Sequence, residues 1–262
     1  MRIALAQIQA TQSLVKNLRI VQDYAQRAAE RGARMVIFPE ATSQAFGTGC
    51  LDTQAEDYDG PFATGINDLA RSLGLVIVAG MFRPADRTPQ GTNRVWNTAL
   101  IADGGELRGY DKIHTYDAFD QRESETVRPG TKPVTFEIDG VMVGVATCFD
   151  LRFPSLFQDL ARRGAEVIVV PASWADGPGK LHQWRTLTAA RALDTGAFIV
   201  ASDMAHPGGK RGENRGPTGL GHSAVLSPVG ERLVEASYDA ELVIADIAPE
   251  QVEETRRALP IL

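Results

Sequence analysis

Short runs of apolar residues recur along this chain, and they constrain its fold more than any other feature. Residues 35–38 and 75–81 carry no polar side chain, and residues 165–170 carry a single one, Glu166. Apolar runs of this length, bounded by turn residues, are typical of strands that are covered on both faces. We expect Pro171 to end the last of these runs. The sequence thus predicts a sheet whose two faces are both covered by other layers.

The rest of the chain completes an alternation of strands and helices. Helical spacing predicts helices over 14–29, 60–73, 154–163 and 180–195, and a short one from Pro249. Single strands are predicted over 3–8, 198–202, 222–226, 231–236 and 242–247. Two hairpins lie in the middle, 94–102 with 106–113 and 133–138 with 141–147, and Asp-Gly turns join their strands. This order indicates an α/β or α+β protein with one large mixed sheet, or with two sheets packed together and helices outside.

The composition argues against several classes of protein. No Pro-, Gly- or Ser-rich linker divides the 262 residues, so we expect a single domain over 1–262. A net charge of −6, from 27 basic and 33 acidic residues, argues against general nucleic-acid binding. No apolar run approaches the roughly 18 residues that a membrane span needs, and the first residues lack an apolar signal core. We therefore expect a cytoplasmic protein in which Cys50 and Cys148 are free thiols.

Three reactive side chains stand at the ends of predicted strands. Glu40 follows the apolar run 35–38, Lys112 ends the second strand of the first hairpin, and Cys148 ends the second strand of the other hairpin. Ligands of open α/β sheets gather at the carboxyl ends of the strands. Each residue alone has an ordinary structural explanation, but the three together predict a reactive site.

Cys148 lies between a predicted strand and a predicted helix, in a polar segment that begins after Thr147. A residue on such a tight turn is held exposed, and the backbone N–H of Phe149 then points at a developing oxyanion. The alternative is a buried structural cysteine, which is the common situation for free cysteines. The position at a strand end favours a nucleophile, whereas Cys50 has no comparable setting.

A thiol attacks only as the thiolate, so Cys148 needs a partner that takes its proton. Histidine is the usual partner, but sequence context marks none of the four candidates, which are His114, His182, His206 and His222. Glu40 and Lys112 offer another route, since an enclosed carboxylate exchanges protons near neutral pH and a lysine stabilises negative charge. A Cys-His hydrolase of another fold and a non-catalytic binding protein therefore stay as rival hypotheses.

Three segments of this chain resemble the signature segments of the nitrilase superfamily of carbon–nitrogen hydrolases. They are Phe38-Pro39-Glu40, Asp111-Lys112-Ile113-His114 and the stretch from Thr147 to Pro154, and their order and spacing also match. The resemblance extends from the first strand to Gly221-His222-Ser223 and to Ala258-Leu259-Pro260, and so covers nearly the whole chain. Each segment is a weak signal alone, but the ordered set is highly specific.

The resemblance implies an α+β fold, a four-layer α-β-β-α sandwich of two mixed sheets, usually paired into homodimers or larger assemblies. It implies that Cys148 is the nucleophile, Glu40 the general base and acid, and Lys112 the stabiliser of the oxyanion. A second catalytic glutamate is expected in the stretch 122–130, where Glu123 matches the family better than Glu125. No metal and no organic cofactor is implied.

Within the superfamily the chain looks most like the small amidases, which include omega-amidases and deaminated glutathione amidases. The cues are Pro171-Ala172-Ser173-Trp174, Gly177-Pro178, Trp184 and Arg191-Ala192-Leu193. The implied reaction cleaves a non-peptide C–N bond of a small carboxylate-bearing amide through a thioester on Cys148, with release of ammonia or an amine. Phe149 stands where true nitrilases usually carry tryptophan, which disfavours a nitrile substrate. Hydrolysis of an N-carbamoyl amino acid remains an alternative.

Further residues are expected to line a pocket for this small-molecule substrate. They are Phe149, Tyr116, Arg152, Ser173 and Trp174. Tyr116 departs from the small amidases, which often carry phenylalanine there, and its hydroxyl alters the polarity of the expected pocket. The glycine-rich segment 204–221 is expected either to shape the entrance or to be a surface loop.

Overall fold

The computed structural model describes residues 1–208, 210–213 and 216–262. Twelve strands lie within these residues: β1 (Arg2–Gln7), β2 (Met35–Ile37), β3 (Val76–Arg87), β4 (Asn93–Ala102), β5 (Arg108–Asp111), β6 (Val134–Ile138), β7 (Val141–Val145), β8 (Val167–Ala172), β9 (Phe198–Asp203), β10 (Ala224–Leu226), β11 (Arg232–Glu235) and β12 (Glu241–Asp246). The α-helices among them are α1 (Leu14–Glu30), α2 (Pro61–Leu73), α3 (Pro154–Arg162), α4 (Lys180–Thr195) and α5 (Glu250–Ala258). None of the described helices is both long and apolar enough to cross a membrane.

The strands form two six-stranded sheets of similar design. The first has the order β12-β1-β2-β3-β4-β5 and the second the order β11-β10-β9-β8-β7-β6. Three central strands run parallel in each sheet, β1 with β2 and β3, and β7 with β8 and β9, while the strands outside them pair antiparallel. Helices connect the parallel strands, as the length of a parallel crossover requires. Hairpins join β3 with β4, β4 with β5, β6 with β7 and β10 with β11.

Alternating side chains of β1 show how the layers stack. Ile3 and Leu5 belong to a core that they share with strands of the second sheet, whereas Ala4 and Ala6 belong to a core that they share with α1 and α2. Helices α3 and α4 cover the outer face of the second sheet. The chain is therefore an α-β-β-α sandwich, which confirms the fold that the resemblance implies.

Most predicted elements lie within a residue or two of the observed ones, but the prediction that Pro171 ends its strand is wrong. β8 continues through Pro171 to Ala172 and stays paired with β9, where Pro171 faces Ser202. On the other side of β8, the last pair with β7 is at Val169, and β7 then leaves the sheet. Since that side of β8 is now an edge, a proline that lacks an N–H donor leaves no ladder partner unsatisfied. The divergence of β7 from β8 opens a space beside Cys148.

Because Gly80 in β3 has no side chain, the turn after β2 lies very close to the backbone of this strand. A Cβ at Gly80 would come within 2.5 Å of the Ala41 backbone nitrogen and within 2.7 Å of the Glu40 Cα. Both neighbours are backbone atoms that cannot rotate away. The bare backbone of Gly80 therefore sets the position of Glu40.

We expect Gly80→Ala to lower the free energy of unfolding by about 1–3 kcal/mol, the usual cost of overpacking. Urea denaturation measures the change. Gly105→Ala is the matched control, because the nearest atom to its new Cβ is the Asp103 Oδ1 atom at 3.1 Å, on a side chain that can move. Equal stability of the two variants would contradict this role of Gly80.

Candidate active site

The ends of strands from both sheets meet at one cavity of about 300 Å³. Glu40 and Lys112 come from the first sheet, where they follow β2 and β5, and Cys148 and Ser173 come from the second, where they follow β7 and β8. All four line the cavity. The structure thus brings together the three reactive residues that the sequence placed at separate strand ends.

Lys112 lies between two glutamates in the interior of the protein. Its Nζ atom donates to the Glu40 Oε1 atom at 2.9 Å, and to the Glu123 Oε1 and Oε2 atoms at 3.1 and 2.9 Å. The side chains of Lys112 and Glu40 are only 2% and 1% exposed. Glu123, rather than Glu125, is the second glutamate of this cluster.

Asn97 in β4 ties the two glutamates together, and sequence reasoning missed it. Its Nδ2 atom donates to the Glu40 Oε1 atom at 2.8 Å and to the Glu123 Oε1 atom at 3.1 Å. Backbone groups bind the other oxygen of each carboxylate. The Ser173 N–H donates to the Glu40 Oε2 atom, and the Tyr116 N–H donates to the Glu123 Oε2 atom. A buried asparagine within an apolar strand was the available signal, because buried polar groups require hydrogen-bond partners.

Cys148 occupies a strained turn, as its position between strand and helix predicted. Its φ angle of +46° lies in the left-handed region, which costs a non-glycine residue roughly 1–2 kcal/mol. Cys148 is also the first residue of a short 3-10 turn, Cys148–Arg152, which leads into α3. Strained backbone of this kind clusters at functional sites, where surrounding contacts hold it in place.

Asp150 supplies those contacts. Its carboxylate accepts hydrogen bonds from the Thr147 N–H at 2.8 Å, from the Tyr110 hydroxyl at 2.7 Å and from the His114 N–H at 3.1 Å. The His114 Nδ1 atom lies 2.7 Å from the same carboxylate, and its ring stacks on Phe153 at 3.6 Å. The segment after β5 is thereby joined to the turn that carries the thiol.

The four histidines lie away from the thiol or are engaged elsewhere. His114 is held by Asp150, His222 lies 2.6 Å from Glu235, and His206 lies 3.3 Å from Asp176. His182 is exposed. No histidine is among the described residues that line the cavity. The hypothesis of a Cys-His pair therefore has no support in the geometry, whereas Glu40 lines the same cavity as Cys148.

Burial and charge act in opposite directions on the reacting groups. Burial and the negative charge of Glu40 raise the pKa of Cys148 well above its ordinary value, although Lys112 and the Ser173 N–H oppose this. Burial acts to lower the pKa of Lys112, but Glu123 and Glu40 outweigh it and hold that pKa well above its usual range. The resting site therefore holds a charged lysine beside a neutral thiol.

We expect the alkylation of Cys148 by iodoacetamide to rise with pH through a midpoint above about 8.5, the ordinary thiol value. The thiolate is the species that reacts, so a raised pKa moves the midpoint upward. Glu40→Gln should move it down, because Glu40 is one of the groups that raise the pKa of Cys148. Mass spectrometry of the alkylated peptide measures each rate. A wild-type midpoint below the ordinary value would instead indicate a preformed thiolate.

The other residues expected in the pocket also line the cavity. They are Phe149, Tyr116, Arg152, Ser173 and Trp174. Further lining residues that the sequence did not indicate include Phe46, Gln121, Arg122 and Lys180. The segment 204–221 reaches the site through Pro217, whose carbonyl accepts from the Ser173 hydroxyl at 2.7 Å. Positions 209, 214 and 215 of that segment lie outside the described residues.

A buried aspartate that sequence reasoning also missed holds the backbone around Trp174. Asp203 accepts from the Trp174 N–H at 2.7 Å and from the Leu220 N–H at 3.0 Å. Burial raises the pKa of Asp203 well above its ordinary value, and the nearby Glu40 adds to the effect. Among the described residues, no three His, Cys, Asp or Glu side chains are arranged so that they could hold a metal ion.

Comparison with known proteins places this site in context. The family model of the carbon-nitrogen hydrolases matches residues 2–257. A hydrolase of Mycobacterium tuberculosis strain H37Rv is 45% identical over 270 residues, which cover 100% of this chain and 94% of that protein. The deaminated glutathione amidase of Escherichia coli O157:H7 is 33% identical over 266 residues, which cover 100% of this chain and 96% of that protein.

Solved structures share the fold over the same length. Nit3 of Saccharomyces cerevisiae, a member of branch 10 of the nitrilase superfamily, has a TM-score of 0.81 at 26% identity and covers 100% of this chain and 94% of its own. A variant of the amidase from Nesterenkonia sp. AN1 has a TM-score of 0.79 at 25% identity and covers 99% of this chain and 98% of its own. In that structure acrylamide has undergone Michael addition at the active-site cysteine.

Proposed function

Since the chain belongs to the carbon–nitrogen hydrolase family of the nitrilase superfamily, we propose that it hydrolyses a small carboxylate-bearing amide through a thioester on Cys148. As a member of this family, with amidases among its relatives, it is a hydrolase of carbon–nitrogen bonds other than peptide bonds. The observation that carries the proposal is the buried pair of Glu40 and Lys112 beside the neutral thiol. A binding protein has no need of all three groups in one cavity.

Acylation begins when the Cys148 sulfur attacks the amide carbon and Glu40 takes the thiol proton. The carbonyl oxygen becomes an oxyanion, which the Lys112 ammonium and the Phe149 N–H stabilise. Glu40 then gives its proton to the amide nitrogen, the C–N bond breaks, and ammonia or an amine leaves. The acyl group remains on sulfur as a thioester.

Deacylation uses the same groups in reverse. Glu40 removes a proton from a water molecule as that water attacks the thioester carbon, and the second oxyanion occupies the same site. The C–S bond breaks, the sulfur recovers a proton from Glu40, and the carboxylic acid leaves. Glu123 does not touch the acyl group in this scheme; its two hydrogen bonds to Lys112 hold the ammonium in place.

The cavity limits the size of the substrate. Its volume of about 300 Å³ lies at the lower end of the range for small-molecule sites. Phe149, Tyr116 and Trp174 give it aromatic walls, with the Tyr116 and Phe149 rings 5.0 Å apart. We infer a compact acyl group rather than a long peptide chain.

The decisive experiment measures ammonia or amine release from a panel of amides that includes alpha-ketoglutaramate and deaminated glutathione. We expect wild-type turnover and an acyl adduct on Cys148 in the intact mass, and neither with Cys148→Ala. A strong preference for N-carbamoyl amino acids would replace the amide assignment by that alternative. No turnover on amides, carbamoyl compounds or nitriles, with Cys148 inert to alkylation, would favour the binding protein.

We also propose that the protein is a cytoplasmic homodimer. Both cysteines are free thiols, in keeping with a reducing compartment. Apolar side chains that are exposed in the single chain lie on α4 and along the β10–β11 hairpin, among them Leu193 at 49%, Val229 at 62% and Leu233 at 41%. Sedimentation velocity should give twice the mass of one chain, and a monomer at micromolar concentration would contradict the proposal.

A further inference from the structure

Three cations, Arg122, Arg152 and Lys180, line the cavity. Arg122 acts on the nearby carboxylate of Asp117, whereas Arg152 and Lys180 form no ion pair with any described residue. Arg122 is exposed and donates only to the Gln121 carbonyl, while Arg152 is half-buried and donates to the neutral amide of Gln183 at 2.6 Å. Lys180, also half-buried, has no carboxylate within ion-pair distance in the described part of the chain. A half-buried cation without a counter-ion is costly.

Lys180 is held in this position by its surroundings. It is the first residue of α4, and its ammonium lies 4.2 Å from the centre of the Phe119 ring. Contact with an aromatic face attracts a cation without neutralising it. Phe119 itself is 64% exposed and has a φ angle of +51°, so an exposed apolar ring lies beside the Lys180 ammonium.

Lys180 lines the same cavity as Cys148 and Arg152. Burial lowers the pKa of Lys180 and the like charge of Arg152 lowers it further, while negative charge on the Cys148 sulfur acts in the opposite direction. Arg152 lies against the cavity wall, with its guanidinium carbon 5.4 Å from the Trp174 ring and 5.8 Å from the Phe149 ring. Two like charges therefore lie near each other in the cavity that also holds the nucleophile.

We propose that Lys180 and Arg152 bind the carboxylate of the substrate while its amide lies at Cys148, so that Lys180 determines specificity for acidic amides. This inference rests on the proposed amide hydrolysis and names how the acid is recognised. An anionic group between the two cations relieves their repulsion and supplies the counter-ion that they do not find among the described residues. A charged hydrogen bond is stronger than a neutral one, so the site favours the acid over a neutral analogue.

Binding tests the subsite without turnover. In full-length Cys148→Ala protein, calorimetry compares glutaramate, an amide with a distal carboxylate, with glutaramide, its neutral diamide. We expect glutaramate to bind more tightly than glutaramide. Lys180→Gln should weaken the binding of glutaramate by about 10- to 100-fold and change the affinity for glutaramide little. Lys132→Gln, which removes an exposed lysine that does not line the cavity, is the control for net charge. Equal affinity for the two compounds, or no effect of Lys180→Gln, would overturn the proposal.

Charge reversal gives a gain of function that misfolding cannot imitate. We expect Lys180→Glu to lose glutaramate binding and to gain affinity for 5-aminopentanamide, which carries an ammonium in place of the carboxylate. The absence of that switch in a folded variant would contradict the role of Lys180. Hydrolysis is then measured separately: Lys180-dependent binding without any turnover would overturn only the proposed function, and turnover that ignores Lys180 would overturn only the subsite.

Discussion

Replacing Glu40 by glutamine should lower kcat/KM for every amide that the protein hydrolyses by about 10³- to 10⁴-fold. In the proposed mechanism Glu40 takes the thiol proton, protonates the leaving nitrogen, activates water and returns a proton to the sulfur, so one substitution affects four proton transfers. No described histidine lines the cavity to replace it. Glu123 is a poor substitute, because both of its carboxylate oxygens already accept from Lys112.

The same change has a smaller effect on stability. The Glu40 Oε1 atom accepts from Lys112 and Asn97, and the Oε2 atom accepts from the Ser173 N–H. A glutamine has one carbonyl oxygen, so at least one of these donors then faces an NH₂ group. We expect a loss of about 1–3 kcal/mol, the cost of an unsatisfied buried donor.

Initial rates over a range of substrate concentrations, with urea denaturation of the same preparation, measure both effects. Glu125→Gln is the matched control, since Glu125 is an exposed neighbour that does not line the cavity, and it should retain wild-type rates. A folded Glu40→Gln protein with rates within tenfold of wild type would remove Glu40 from the proton transfers. The base would then have to be another group.

The positions of Glu40, Lys112 and Cys148 could be predicted because each stands at the end of a predicted strand. The strands before Glu40 and Cys148 are apolar, whereas the strand before Lys112, Arg108–Asp111, is mostly polar. A buried strand is visible in a sequence as an unbroken apolar run, and the first polar residue after it marks the sheet edge where ligands bind. The strain at Cys148 could be anticipated for the same reason, since the chain must turn sharply between β7 and α3.

Residues that do not stand at the end of a strand could not be placed in this way. Asn97 lies inside β4 and Lys180 begins α4, and neither stands at the end of a strand. Their partners are distant in sequence: Asn97 binds Glu40 across 57 positions. Hydrophobic pattern gives the direction of a side chain relative to its own element, but not which element lies opposite.

The division of the strands into two sheets could not be derived from the hydrophobic pattern alone. Pattern left open whether there is one large sheet or two, because a strand buried on both faces has the same apolar run in either case. The resemblance to the nitrilase superfamily decided it, and the order of pairing confirms two sheets. The prediction that β8 ends at Pro171 was wrong because a strand accepts a proline where the neighbouring strand has already ended, and the sequence does not show where that is.

Replacing Lys112 by methionine is expected to damage both activity and stability. Methionine keeps an unbranched side chain, one atom shorter than that of lysine, but removes the charge between Glu40 and Glu123. Breaking a buried ion pair from one side costs about 3–5 kcal/mol, since it leaves a buried charge uncompensated. Loss of an oxyanion donor should lower kcat by about 10²- to 10³-fold in addition.

The loss of stability should depend on pH. With Lys112 gone, two carboxylates share one buried site, which raises the pKa of the pair above that of the unfolded chain. A raised pKa in the folded state gives stability that is present at low pH and is lost as pH rises through the folded value. The deficit of Lys112→Met relative to wild type should therefore be smaller in mildly acidic buffer than in alkaline buffer, as urea denaturation at each pH measures.

A second substitution separates the structural role of Lys112 from its chemical one. Glu123→Gln in the Lys112→Met background removes one of the two buried negative charges, so we expect it to recover a large part of the lost stability. It restores no cation to the oxyanion, so kcat should stay at the level of the single variant. If activity returns together with stability, Lys112 serves only to neutralise the glutamates, and the Phe149 N–H with another donor must stabilise the oxyanion.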